Sequence, residues 1–169
     1  MNKTFFTVSL ILVSGIFISC SKDDIDLNEP ITENKIDIQK LLDLVNDVRS
    51  AGTTCGTTYY PPVNAIVWNS KLEDAALKHS KDMMDNNFFS HTSSNGDKFV
   101  DRLNAAGYFY NSAGENIAKG YLSEESVING WLTSQGHCAN IMNPDFTEMG
   151  VGRIGDYWTQ DFGKPKKIE

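Results

Sequence analysis

The feature that most restricts the fold lies near the C-terminal end of this 169-residue chain. Met149, Val151 and Ile154 form one extended apolar run, and Tyr157-Trp158-Thr159-Gln160-Asp161-Phe162 forms a second. Only Gly155-Asp156 separates them. Two β-prone runs around a two-residue Gly-Asp loop specify a hairpin. A half-apolar hairpin must be covered by other elements, and the rest of the chain supplies helices to do so.

Ile38, Leu41, Leu42, Val45 and Val48 recur at helical spacing and predict an amphipathic helix over 36–50, ending near Gly52. Residues 53–64 carry Thr, Gly, Tyr and the Pro61-Pro62 pair and read as a loop. Within it, Tyr59-Tyr60-Pro61-Pro62 reads as a packed turn, with a recognition loop as the alternative. Ala65-Ile66-Val67-Trp68 is a short apolar run. Ser70-Lys71-Leu72-Glu73 then has the form of a capping box, with Ser70 as N-cap and Glu73 at the third helical position. The helix it opens runs to about Asn86, with Leu72, Ala75, Ala76, His79 and Met83 on one face. Residues 88–96 form a polar loop, and 97–106 read as a helix stopped by Gly107. Asn111–Gly120 is irregular or partly extended. Ser123, followed by Glu124 and Glu125, starts a last helix that ends near Gly136. The fold class is therefore mixed α+β, with Trp68, Trp131 and Trp158 building the core.

The balance of 22 acidic against 15 basic side chains gives a net charge of −7 and excludes a nucleic-acid partner. Residues 4–19 are an early apolar run behind Lys3, too short to span a bilayer, and read as the core of a signal peptide. The run stops at Ser19-Cys20, which resembles a bacterial lipobox. Residues 1–19 are then a lipoprotein signal peptide, Cys20 the lipidated residue that anchors the chain to a membrane, and 20–35 a flexible tether. The acidic Ser21-Lys22-Asp23-Asp24 run resembles the export tag of surface lipoproteins in Bacteroidetes-type bacteria. This places the protein outside the cell or at the outer membrane.

The chain holds three histidines. His79 sits at an apolar helical position and reads as a satisfied core residue. His91 lies in Phe89-Ser90-His91-Thr92, where a helix gives way to a polar loop, and His137 lies just past another helix end. Glu115 interrupts a small-residue stretch, and a carboxylate there needs a partner. Two imidazoles and a carboxylate suit zinc or another divalent cation with an open position for water.

Many short pieces now fall in one order: Val67-Trp68-Asn69-Ser70-Lys71-Leu72, Ala75-Ala76 with His79-Ser80, Phe89-Ser90-His91-Thr92, Asp101-Arg102-Leu103 and Ala106-Gly107-Tyr108. Gly114-Glu115-Asn116-Ile117-Ala118, Gly130-Trp131, Gly136-His137, Asn140-Ile141-Met142, Gly150-Val151-Gly152 and Tyr157 to Gly163 follow. Together they resemble the bacterial branch of the CAP, or SCP-like extracellular, domain family, which includes cysteine-rich secretory, antigen 5 and pathogenesis-related class 1 proteins. The resemblance implies an α-β-α sandwich with a small antiparallel sheet and a C-terminal hairpin, over residues 36–163, before a basic tail at 164–169. It also implies a cleft with two His and two Glu. His91, Glu115 and His137 match three of these, but the fourth position holds Ser134. Metal binding is thus expected at His91 and His137, with Glu115 as a ligand or as the group that orients a His. Asn116 and Ser134 are further polar lining of the cleft.

Cys55 and Cys138 form an even pair in an exported chain and are expected to form a disulfide. The alternative is a Cys138 nucleophile with His91 as base and Glu115 orienting it. Three functions compete. The first is a monomeric binding module for a peptide, glycan or lipid, with no catalysis. The second is a metal-dependent hydrolase with Glu115 as general base. The third is a structural envelope protein with a residual cleft.

Overall fold

The computed structural model describes residues 34–167. The predicted signal peptide, Cys20 and all but the last two residues of the tether lie outside the described residues. Chain order is α1 (Ile38–Ala51), β1 (Thr53–Cys55), β2 (Thr58–Tyr60), β3 (Val67–Trp68), α2 (Ser70–Asp85), α3 (Phe99–Ala105) and β4 (Tyr110–Lys119). It continues with α4 (Glu124–Thr133), α5 (Gln135–Ile141), β5 (Glu148–Ile154) and β6 (Tyr157–Pro165).

The hairpin forms as predicted. Ile154 pairs with Tyr157, and Gly155 alone in the loop has positive φ, at +60°, the φ pattern of a II′ turn. β5 and β6 are the centre of a four-stranded sheet of order β3-β5-β6-β4. The sheet departs from the expected all-antiparallel form because β3 pairs with β5 in parallel. The long excursion between them, from α2 through α5, is what permits a parallel pair.

Residues alternate across the sheet, and each face is covered by helices. On one face Met149, Val151, Trp158 and Phe162 pack with Leu41, Val45, Val127 and Trp131 of α1 and α4 and with Ile141 of α5. Facing the other way, α2 lies close against β5. A Cβ on Gly150 would stand 2.1 Å from the Glu73 nitrogen, and one on Gly152 would stand 2.2 Å from the Leu77 nitrogen. Only glycine at these two positions lets the helix backbone approach so near. The architecture is the α-β-α sandwich. Trp131 and Trp158 are fully buried, whereas Trp68 is half-buried and donates its indole N–H to Glu73 at 2.9 Å.

Five local expectations are corrected or sharpened. The 53–64 segment is not all loop: β1 and β2 pair antiparallel around Gly56, because Thr and Tyr favour extended backbone. Within it, Tyr60 packs on the core and Tyr59 is exposed. The cap of α2 is one residue earlier than predicted. Asn69 accepts from the N–H groups of Lys71 and Leu72, while Glu73 is occupied by Trp68 and Asn34. The last predicted helix is two: Ser134 is extended at φ −94°, ψ 122°, and α5 starts behind it, so His137 sits in the first turn of a helix. The stretch expected over Asn111–Gly120 as irregular or partly extended is extended throughout Tyr110–Lys119, the ten-residue strand β4, held by pairing along β6. The predicted tail also begins inside β6, and the Lys166 N–H donates to Phe109 at 2.9 Å.

Two long-range ties fix the α5 region. The predicted Cys55–Cys138 disulfide is present, with both residues fully buried. Arg49, also fully buried, donates to the carbonyls of Asn64, Ile141, Asn143 and Phe146. One guanidinium thereby satisfies three carbonyls where α5 ends and the chain turns toward β5, and ties them to a fourth, Asn64, ahead of β3.

Candidate functional site

The site straddles β4, which is an edge strand of the sheet. Adjacent residues in a strand point to opposite faces. Glu115 therefore turns toward α2 and α3, and Asn116 toward α5.

On the first side, His79 of α2 is fully buried, with Nε2 2.9 Å from the Ser90 carbonyl. A carbonyl only accepts, so Nε2 carries the proton. Burial and the nearby Arg102 charge lower the His79 pKa, which keeps the ring neutral. The core reading is correct, and the residue also anchors the turn that presents His91. His91 Nδ1 lies 2.6 Å from Glu115 Oε1. Arg102 of α3 donates to the other carboxylate oxygen, and its second arm donates to the His91 carbonyl at 3.1 Å and the Ser93 hydroxyl at 3.0 Å. Glu115 is only 1% exposed, whereas the His91 ring is 54% exposed. With Nδ1–H donated to Glu115, the exposed His91 ring turns its Nε2 edge outward.

On the α5 side, fully buried Asn116 donates to the His137 carbonyl at 3.2 Å and to Gln160 at 3.1 Å, and accepts from Asn140 at 2.9 Å. Asn140 also donates to the Glu115 carbonyl at 3.2 Å, tying α5 to the strand edge. The His137 ring is half-buried. Burial and the proximity of His91 push its pKa down, so it is a neutral imidazole near physiological pH. Ser134 lies at the break between α4 and α5 and makes no side-chain cap bond.

A model of the CAP family, described as the cysteine-rich secretory protein family, matches residues 42–162. The chain belongs to the CAP family. Relatives of this CAP domain include YkwD of Bacillus subtilis, 44% identical over 93 residues, 54% of this chain and 36% of that one. The uncharacterized membrane protein YlbC of the same organism is 40% identical over 99 residues, 59% of this chain and 29% of that one. The chain thus spans about a third of the length of either relative. Among solved structures, an extracellular SCP-domain protein from Bacillus anthracis superposes with a TM-score of 0.66 at 36% identity, over 75% of this chain and 40% of that one.

The CAP fold brings His91 and Glu115 into contact and carries His137 on α5 at the same strand edge, near enough to His91 to feel its charge. Among the described residues no group of three or more His, Cys, Asp or Glu side chains is arranged to hold a metal ion. The Cys138 nucleophile is overturned, because its sulfur is bonded to Cys55.

Two participants were not singled out from sequence. Arg102 stands in the quoted Asp101-Arg102-Leu103 piece, and the need of Glu115 for a partner was the signal for it. Asp161 lies directly opposite Glu115 across the β4–β6 pair and is fully buried. Its place in the strand, in step with Tyr157 and Thr159, was the available signal.

Proposed function

We propose that this protein is an exported, lipid-anchored binding module that engages its ligand at the β4 edge through His91 and His137. One observation carries the choice over hydrolysis. Both oxygens of Glu115 are engaged, by His91 and by Arg102, and the side chain is 1% exposed. A general base needs a free lone pair within reach of water. Glu115 instead fixes the His91 ring.

The donor set of the cleft fits a divalent cation such as zinc as a two-imidazole site. His91 offers Nε2, His137 is neutral, and Glu115 supports His91 from behind. When bound, such an ion supplies open coordination positions for an oxygen donor of the ligand. A catalytic zinc ordinarily takes three protein ligands, which favours binding over catalysis here. Peptide, glycan or lipid at the cell envelope is the ligand class, and the module acts as a monomer.

Export is supported by the buried disulfide and by the likeness to the extracellular Bacillus anthracis protein. The anchor rests on Cys20 at the end of the apolar run. Cys20→Ser is expected to move the protein from the membrane to the soluble fraction, and retention on the membrane would refute the anchor. Zinc calorimetry on metal-stripped protein tests the cleft. One-to-one binding, lost in His91→Ala and in His137→Ala, is expected. Peptidase activity that disappears with chelator and returns with zinc would replace the binding module by the hydrolase.

A further inference from the structure

A cavity of about 260 Å³ opens where the start of α2, the turn between α3 and β4 and the end of β6 meet. Asn69, Lys71, Tyr108, Phe109, Glu148 and Lys166 line it, and His91, Glu115 and His137 do not. The volume lies just below the roughly 300–1,000 Å³ of a site for a drug-sized molecule, so it suits one ring-sized unit. Its floor rests on Gly163 of β6. A Cβ there would stand 2.4 Å from the Tyr108 hydroxyl, so only glycine lets the phenol lie against the strand. The cross-strand neighbour of Gly163 is Glu148, whose carboxylate accepts from the Asn69 amide at 2.9 Å. Tyr108 is 3% exposed, and among the described residues its hydroxyl has no hydrogen-bond partner. Burial and the Glu148 charge raise the pKa of the phenol, so it keeps its proton and is a donor without an acceptor. Such a group is costly to bury.

The rim carries different chemistry. Phe109 is 53% exposed and turns an aromatic ring to water. Lys71 gives one N–H to the Gly107 carbonyl at 3.0 Å and keeps two. Lys166 is exposed, and its backbone N–H donates to the Phe109 carbonyl, which holds it beside the ring. Two ammonium groups against one carboxylate leave the walls net positive, in a chain of net charge −7. The floor therefore calls for a group that accepts from a phenol and donates to a carboxylate. The rim calls for an anion beside an apolar face.

We propose that this cavity is a second binding site, separate from the cleft, and takes one carboxylate-bearing sugar unit of an acidic polysaccharide. The C–H face of the pyranose lies on the negative face of the Phe109 ring. The sugar carboxylate meets Lys71 and Lys166. One ring hydroxyl accepts from Tyr108 and donates to Glu148, since a hydroxyl does both at once. The Tyr108 hydroxyl is closed from solvent in the free protein, so the half-buried Glu148 side chain turns aside as the sugar enters. Side-chain rearrangements of this size are common on binding.

Calorimetry on the full-length protein tests the site, with trigalacturonic acid as probe, maltotriose as its neutral counterpart and acetylated triaspartate as an acidic peptide. Binding of trigalacturonate alone is expected. Affinity should fall about five- to tenfold in Tyr108→Phe, the worth of one hydrogen bond, and by at least as much in Lys166→Ala. Without sugar, Tyr108→Phe should melt at or above wild type, because it removes a buried donor that has no partner. Lys166→Ala, at an exposed position, decides alone if Tyr108→Phe does not fold. A lower melting temperature of Tyr108→Phe with unchanged sugar affinity would make the phenol a structural partner of Glu148 and overturn the proposal. Equal binding of maltotriose or of the peptide, or no trigalacturonate binding at millimolar concentration, would overturn it too. The cavity shares no residue with the cleft, so failed zinc binding there leaves it standing.

Discussion

Replacing Cys55 and Cys138 together by Ser should destabilise the protein by about 4.5 kcal/mol by the chain-entropy estimate for a long loop. The two cysteines are 83 residues apart, so the cross-link removes a large set of conformations from the unfolded chain. For a domain of this size the loss corresponds to roughly 10–20 °C in melting temperature. Reduced wild type and the double variant should melt together, and well below oxidised wild type. The structural consequence is local. Cys138 follows His137 directly, and Asn140 of the same short helix holds the Glu115 carbonyl and Asn116. A seven-residue helix has little stability of its own, so α5 depends on such ties. Zinc affinity should therefore fall with the disulfide, because His137 rides on α5, whereas the supports of His91 on α2 and α3 are untouched. A loss below about 1 kcal/mol would mean that Arg49, with its four carbonyl partners, holds α5 without the disulfide.

How far the molecule can be read from its sequence depends on the range of the interaction that decides each part. The β5–β6 hairpin and α1 were legible because period and turn chemistry act within a few residues. The α2 helix was legible in position but not in its first residue. Asn69 and Ser70 are both good caps, and the contest is settled by Trp68 and Asn34 drawing Glu73 away from a reciprocal cap. The β4 strand was opaque for another reason. Gly114, Glu115 and Asn116 are poor strand formers, and their conformation comes from pairing with β6, more than forty residues further on. The site shows the same division. His91, Glu115 and His137 stood out because polar residues at helix ends and in small-residue stretches need a reason. Arg102 and Asp161 did not, since an Arg on a helix normally faces water and both faces of β6 are buried. That three polar groups of β6, Thr159, Gln160 and Asp161, are fully buried in a row becomes meaningful only when their partners are known. Ser80 of α2 reaches Thr159 at 2.9 Å, Asn116 reaches Gln160, and Glu115 faces Asp161.

Glu115→Ala removes the one group that faces all three of its neighbours, and is expected to cost about 3–5 kcal/mol, the usual penalty for stranding one partner of a buried ion pair. Arg102 is 9% exposed and would keep its charge with only the Ser93 hydroxyl and backbone carbonyls as partners. Glu115→Gln should cost less, since the amide oxygen can still accept from Arg102. Its NH2 group, however, can fall against the His91 Nδ1–H, where an acceptor is required. The two variants separate stability from positioning. Urea denaturation reads the first. Zinc calorimetry reads the second, and an orienting carboxylate behind a His ligand is typically worth 10–100-fold in metal affinity. The expected pattern is a folded Glu115→Gln protein with at least tenfold weaker zinc binding and a stability between those of Glu115→Ala and wild type. Equal zinc affinity in wild type and Glu115→Gln would mean that the His91 ring is oriented by its turn, through His79 and the Ser90 carbonyl, and that the ion pair of Glu115 with Arg102 serves the fold alone.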